Sequence, residues 1–147
     1  MADFDFDTGV LRLRGGLALG PNAPNKEGVE QTAISRFQPS SRLNGFKLED
    51  EEFFGHKFSV SAVFSSDILR MINLVWLEGP ATKLGWDCQK HDLLKEKKSL
   101  STMIQTNSGR SVANSTSGAD TFTFGWGEIS VLADLKSCCV YTSIQYG

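Results

Sequence analysis

The chain has no apolar run long enough to cross a membrane as a helix. Such a span needs roughly 18 apolar residues in succession. The most apolar stretch, Ile68 to Leu77, is interrupted by Arg70 and Asn73. A basic excess is missing as well: 15 Lys and Arg stand against 17 Asp and Glu, for a net charge of -2. Proteins that wrap nucleic acid carry a clear basic surplus, so no nucleic-acid partner is expected. Cysteine is scarce and badly placed for a disulfide framework. There are three, Cys88, Cys138 and Cys139, an odd count with two adjacent. No Cys-x-x-Cys pair occurs, so a zinc knuckle or a thioredoxin-like site is not expected. Only two histidines are present, His56 and His91. There is no serine nucleophile elbow, no phosphate loop and no Gly-x-Gly-x-x-Gly fingerprint. The reading that follows is of a protein with no catalytic residues, no metal and no cofactor.

What is present describes an ordinary globule. The 147 residues are 40% hydrophobic and 22% charged. That length and composition fit one domain over residues 1–147. The aromatic content is carried by ten Phe against three Trp and two Tyr. Met1 to Asp7 is acidic and alternating, unlike a secretory signal, so a cytoplasmic protein is expected.

Period-two alternation dominates the chain. Phe4 and Phe6 face Asp3, Asp5 and Asp7 across a strand, and Val10 to Arg14 alternates again. Asn25 is placed to cap a helix over Lys26 to Arg36, with Val29, Ala33, Ile34 and Phe37 as its apolar stripe. Phe58 to Phe64 and Ile68 to Leu77 read as a strand pair. A second helix begins near Asp87, with Leu93, Leu94, Leu100, Met103 and Ile104 at helical spacing. Its outer surface is expected to carry Lys90, Lys95, Lys97 and Lys98 beside Asp92 and Glu96. Gly109 marks its stop, and Asn107 to Asp120 reads as a mobile loop. Two strands close the chain, Thr121 to Val131 and Cys138 to Tyr146. The expectation is an α+β domain: an antiparallel sheet of about six strands with two helices packed on one face.

Several strings imitate motifs. Leu11 to Gly16 spells the tail of ubiquitin, but only ten residues precede it here. A strand of alternating Leu and Arg that ends in glycines gives the same letters. Asp3-x-Asp5-x-Asp7-x-Gly9 imitates the start of a calcium loop, yet the twelfth position is Arg14 rather than Glu. Cys88 and His91 could meet across one helical turn and form a dyad. That arrangement would suit a small hydrolase or a small-molecule binder, with a Phe-lined pocket between helix and sheet. Glu49, Asp50, Glu51 and Glu52 form a contiguous acidic run. It reads either as a solvated loop or as a docking surface for a basic partner. Trp86, in Leu84-Gly85-Trp86-Asp87, is either a cap on the core or an exposed interface anchor.

The carboxy-terminal pattern Phe122-x-Phe124-x-Trp126-Gly127-Glu128-Ile129, then Asp134-x-Lys136, then Ile144-x-Tyr146, resembles the closing hairpin of small bacterial immunity proteins. These are the cytosolic antidotes to polymorphic and type VI secreted toxins. The Gly55-His56-x-Phe58-x-Val60 strand beside Ile68 to Leu77 is similar in layout. The resemblance implies a protein that binds a cognate toxin and blocks its active site, as a monomer or homodimer. It carries no shared functional residues across. The contact residues expected from this sequence itself are Glu49, Asp50, Glu51, Glu52 and Trp86, with the Asn107 to Asp120 loop behind them. A third expectation is self-assembly through Cys138 to Tyr146 as a sheet edge.

Overall fold

Phe58, Val60, Ala62 and Phe64 are all buried, and an alternation of this kind turns one side of an extended chain toward a core. The computed structural model, which describes residues 2–147, places them on a ten-residue strand. In chain order the elements are β1 (Asp3–Asp5), β2 (Val10–Arg12), β3 (Ala18–Leu19), α1 (Lys26–Thr32), β4 (Ser35–Ser40), β5 (Leu43–Lys47), β6 (Glu51–Phe53), β7 (His56–Ser65) and β8 (Ile68–Trp76). Then follow α2 (Pro80–Leu84), a single 3-10 turn at Gly85–Asp87, α3 (Lys90–Ser108), β9 (Asn114–Ser115), β10 (Ala119–Phe124), β11 (Gly127–Asp134) and β12 (Cys139–Tyr146).

The architecture is α+β with antiparallel sheets. β1, β2 and β3 form a small sheet. The large sheet runs β4-β5-β7-β8-β12-β11-β10-β9, and β6 pairs β7 in line with β5. Between the pairs Lys47–Ser61 and Glu51–Phe58 the register slips by one residue, so β5 and β6 act as one bulged strand. A two-residue turn, Phe54-Gly55, joins β6 to β7, with φ values of 54° and 81°. Positive φ at both positions is the tight hairpin geometry that matches strand twist. Phe54 pays for its strained backbone by stacking on Phe6, with ring centroids 5.7 Å apart.

One face of the large sheet is covered. Val60, Ile72, Ile129, Val131, Phe122 and Ile144 line it, and Leu93, Leu100 and Ile104 of α3 pack down on the β10–β12 side. The small sheet adds Phe4, Leu11 and Leu19 to the same core. Two hydrogen bonds pin its first turn: Trp126 Nε1 donates to Phe6 O at 2.8 Å, and the Tyr146 hydroxyl donates to Gly9 O at 2.8 Å. Gly9, at φ +75°, lies against the Trp126 ring where a Cβ would collide. On the opposite face Ser61, Asn73, Ser143, Ser130 and Thr121 stand opposite one another in register across five strands.

The structure corrects the expected elements in several places. Among the described residues there are twelve strand segments, not about six, and three α-helices rather than two. The first helix stops at Thr32. Ser35 to Ser40, expected to include its last turn, is a fully exposed edge strand. Ile34 and Phe37 are exposed, so the supposed stripe is not a buried face. Thr121 to Val131 is two strands with a turn at Gly125-Trp126, not one. Asn107 to Asp120 contains β9 and the start of β10 rather than being loop throughout. β12 lies between β8 and β11, so it is interior and offers no edge; β4 and β9 are the edges of the large sheet. Gln89, not Asp87, is the N-cap of α3, and its backbone N–H donates to Asp92 Oδ2 at 2.9 Å. The C-cap is Gly109, at φ 71°, as its sequence position implies.

Candidate partner-binding surface

The acidic run does not form an exposed patch. Glu49 and Glu52 are exposed and Asp50 is half-buried. Glu51 sits on β6 and turns inward with Phe53, because alternate residues of a strand take opposite sides. Its Oε1 accepts the Arg14 backbone N–H at 3.2 Å. Glu52 lies opposite Lys57 in the β6–β7 pair. Glu49 and Asp50 border a groove with Arg14, Lys47 and Lys57, so three cations face two carboxylates. The expected acidic docking surface is therefore a groove of mixed charge with one of its four members buried.

Trp86 has the other fate. It lies on the 3-10 turn after α2, and it is 93% exposed. Beside it is a depression of about 230 Å³ lined by Val75, Ala81, Gly85, Cys138 and Cys139, among others. The far wall belongs to the loop between β11 and β12. There Asp134 Oδ1 accepts the Lys136 N–H at 2.9 Å and the Ser137 N–H at 3.4 Å. The Ser137 hydroxyl and the two backbone N–H groups hold the Asp134 carboxyl below its usual range. Leu135, in the same loop, is 54% exposed, and Leu84 at the end of α2 is 43% exposed. Neither Leu was singled out in the sequence. A large apolar residue inside a turn, as in Asp134-Leu135-Lys136, was the available signal. Trp86 and the acidic run border different depressions.

The segment that carries Trp86 is held from below. Glu96 on α3 is fully buried, and its Oε1 accepts the Ala81 backbone N–H at 3.1 Å. Burial raises its carboxyl to about 7, against the opposing pull of the Ala81 and Thr82 N–H groups. Glu96 Oε2 and Trp76 Nε1 are buried without a partner. The Thr82 hydroxyl donates to Trp76 O at 2.8 Å, and the Cys88 N–H donates to Gly85 O at 3.1 Å. Sequence periodicity had assigned Glu96 and Lys97 to the outer surface of α3, and both are buried instead. Lys97 Nζ is 3.1 Å from Asp120 Oδ1.

The supposed dyad residues face different partners. Cys88 is buried, and its Sγ donates to Gln89 O at 3.6 Å. Burial raises its thiol, with the neighbouring Cys138, Asp92, Glu96 and Cys139 adding to the effect. His91 Nε2 lies 3.3 Å from Asp92 Oδ1, with its side chain largely in solvent. The Phe-lined cavity between α3 and the sheet is walled by Phe4, Phe6, Phe53, Phe54 and Phe58, with a volume of about 20 Å³. That is about one water-sized probe, and neither Cys88 nor His91 borders it. Among the described residues, no group of three or more His, Cys, Asp or Glu is placed to hold a metal ion. No helix among them is long and apolar enough to cross a membrane.

Trp126, which sits between two glycines, is partly buried against the core. It stacks on Phe124 at 5.1 Å and packs on Phe4 and Tyr146. No family model matches the chain, and neither a curated protein nor a solved structure matches it.

Proposed function

We propose that this chain is an inhibitory binding protein: an immunity protein that neutralises a cognate bacterial toxin in the cytoplasm by covering its active site. The observation that carries the reading is the exposure of Trp86 on a tethered turn. An indole in water gains nothing for the free protein. Its burial against a partner removes 150–250 Å² of aromatic surface, about the largest contribution a single side chain makes to an interface. The pattern of the β10–β11–β12 meander, similar to the closing hairpin of immunity proteins, supports the same role. The hydrolase and small-molecule readings have less support, since the Phe-lined cavity has room for about one water.

Co-expression tests this reading. Any toxin domain found encoded beside this gene is expressed with and without the chain, and growth is followed. Restored growth, with a stoichiometric complex on sizing chromatography, is the expected result. Unrelieved toxicity, or a gene neighbourhood without a toxin, overturns the proposal.

A further inference from the structure

We propose that the depression beside Trp86 is a thiol-oxidation site, in which Cys138 exchanges with a small disulfide and Cys88 then displaces the small thiol to leave a Cys88–Cys138 disulfide. This stands apart from the toxin-neutralising reading and needs no partner protein.

The fold gathers all three cysteines of the chain at this place. Cys138 and Cys139 line the depression together with Gly85 and Trp86. The Cys88 backbone N–H donates to Gly85 O at 3.1 Å, which ties Cys88 to the same wall. Cys88 belongs to the buried core, and Cys138 packs against that core. Burial raises the Cys88 thiol, and of the charges around it Cys138 adds most, ahead of Asp92 in the first turn of α3. Cys138 thus acts on this thiol more strongly than any carboxylate does. In the chain the two are separated by α3 and by β9 to β11.

Access sets the order of events. Exchange begins with a thiolate that a small disulfide can reach. Cys138 is half-buried and borders the depression, whereas Cys88 is buried. Cys138 also sits at φ 52°, in the left-handed region that residues other than Gly seldom adopt. Its loop is fixed there by Asp134, whose carboxylate accepts the Lys136 and Ser137 N–H groups. Backbone held in a sparsely populated region beside a reactive group is a recognised mark of a functional position. In the first step the Cys138 thiolate attacks one sulfur of the small disulfide. Its S–S bond breaks, and the small thiolate that leaves takes up a proton. In the second step Cys88 gives its proton to solvent and attacks the Cys138 sulfur. The mixed S–S bond breaks, and the second small thiolate leaves and is protonated. Two protein thiols are oxidised to one disulfide, and one small disulfide is reduced to two thiols. The product joins the Trp86 turn covalently to the loop before β12.

The probe is oxidised glutathione, added to the reduced chain with and without urea. Samples are quenched in acid, the remaining thiols are alkylated, and intact and tryptic masses are read. The expected product has lost two hydrogens and links the peptide Leu84–Lys90 to the peptide Ser137–Gly147. Cys139→Ser should give the same link, whereas Cys88→Ser should stop at the glutathione adduct. Closure should be at least about tenfold slower in urea, because the fold supplies the proximity. The oxidised chain should melt higher than the reduced one, since the link restricts the unfolded state. The wild-type and Cys139→Ser results decide the matter even if the buried Cys88 variant folds poorly. Three thiols still open to alkylation after exchange, an adduct that never closes, a link that disappears in Cys139→Ser, or closure equally fast in urea overturns the proposal.

Discussion

Glu96 Oε1 accepts the Ala81 backbone N–H at 3.1 Å, so a fully buried carboxyl on α3 holds the first turn of α2. Its second oxygen has no partner. Burial raises this carboxyl from 4.5 to about 7. The folded chain therefore binds the proton more tightly than the unfolded one. The stability linked to it is complete below about pH 4.5 and is lost as pH rises to about 7. The size of that loss is on the order of 3 kcal/mol. Urea denaturation at about pH 5 and about pH 8 measures it. Glu96→Gln, which keeps an acceptor but cannot ionise, should remove most of the difference. An equal pH dependence in both proteins would show that Glu96 is not its source.

Gly79 lies directly against the same carboxyl, where a Cβ would meet Oε1 and the Trp76 ring. Gly79→Ala should cost about 1–3 kcal/mol, the usual penalty of overpacking. In a Glu96→Ala background the added methyl finds vacated space, so the cost should shrink. A double-mutant cycle by denaturation reads the coupling. Strictly additive losses would contradict the contact.

Lys97 and Asp120 form a nearly buried pair at 3.1 Å, and Ser101 and Ser115 donate to the same carboxylate at 2.7 Å and 2.6 Å. Burial alone would raise the Asp120 carboxyl. The bonds from Ser101, Ser115 and Lys97 outweigh it and hold the group below 3.8. Its contribution is thus present above about that pH and lost as acid is added below it. Asp120→Ala strands the Lys97 ammonium and should cost about 3–5 kcal/mol. Adding Lys97→Met should recover part of that loss, as thermal or urea unfolding would report. A single substitution that costs under about 1 kcal/mol would mean that the pair behaves as an exposed one.

Trp86 and Trp126 should respond in opposite ways to truncation. Trp86→Ala changes stability by within about 0.5 kcal/mol, because the side chain is already in water. Trp126→Ala removes a stacked ring and the bond to Phe6 O, and should cost about 3–5 kcal/mol. Two melting curves decide the matter. A destabilised Trp86 variant would mean that the indole packs on its own protein.

The strands β7 and β8 and the helix α3 were legible because burial imposes a period on them. Phe58, Val60, Ala62 and Phe64 repeat every two residues, and Leu93, Leu100 and Ile104 repeat at helical intervals. β4 was misread because Val29, Ala33, Ile34 and Phe37 share that interval by chance, although Ile34 and Phe37 are exposed. Glu51 was misplaced because a run of four acids suggests water, whereas strand geometry must send alternate members inward. Trp86 could be named from its loop, but its choice between core and surface is a tertiary fact. The Leu135 and Lys136 side of the same surface was hidden for a related reason. It reaches the Trp86 side because β8 pairs with β12, and no local pattern encodes that pairing.

That pairing also orders the assembly of the molecule. From β4 to β8, and from β9 to β12, each strand adds to one nearby in sequence. Such zipping needs only short loops to close. Leu74 and Thr142 are different: they meet across α2, α3 and a whole second meander. The β8–β12 pairs, from Leu74–Thr142 out to Met71–Gln145, close the longest loops in the large sheet and carry its largest loop-closure entropy. The large sheet is thus two meanders joined along one seam, which the small sheet braces through Phe6 and Gly9. A cut in the chain just after Trp76 would leave two fragments, one for each meander, whose reunion draws on that seam and on the bonds from Trp126 and Tyr146 to the small sheet.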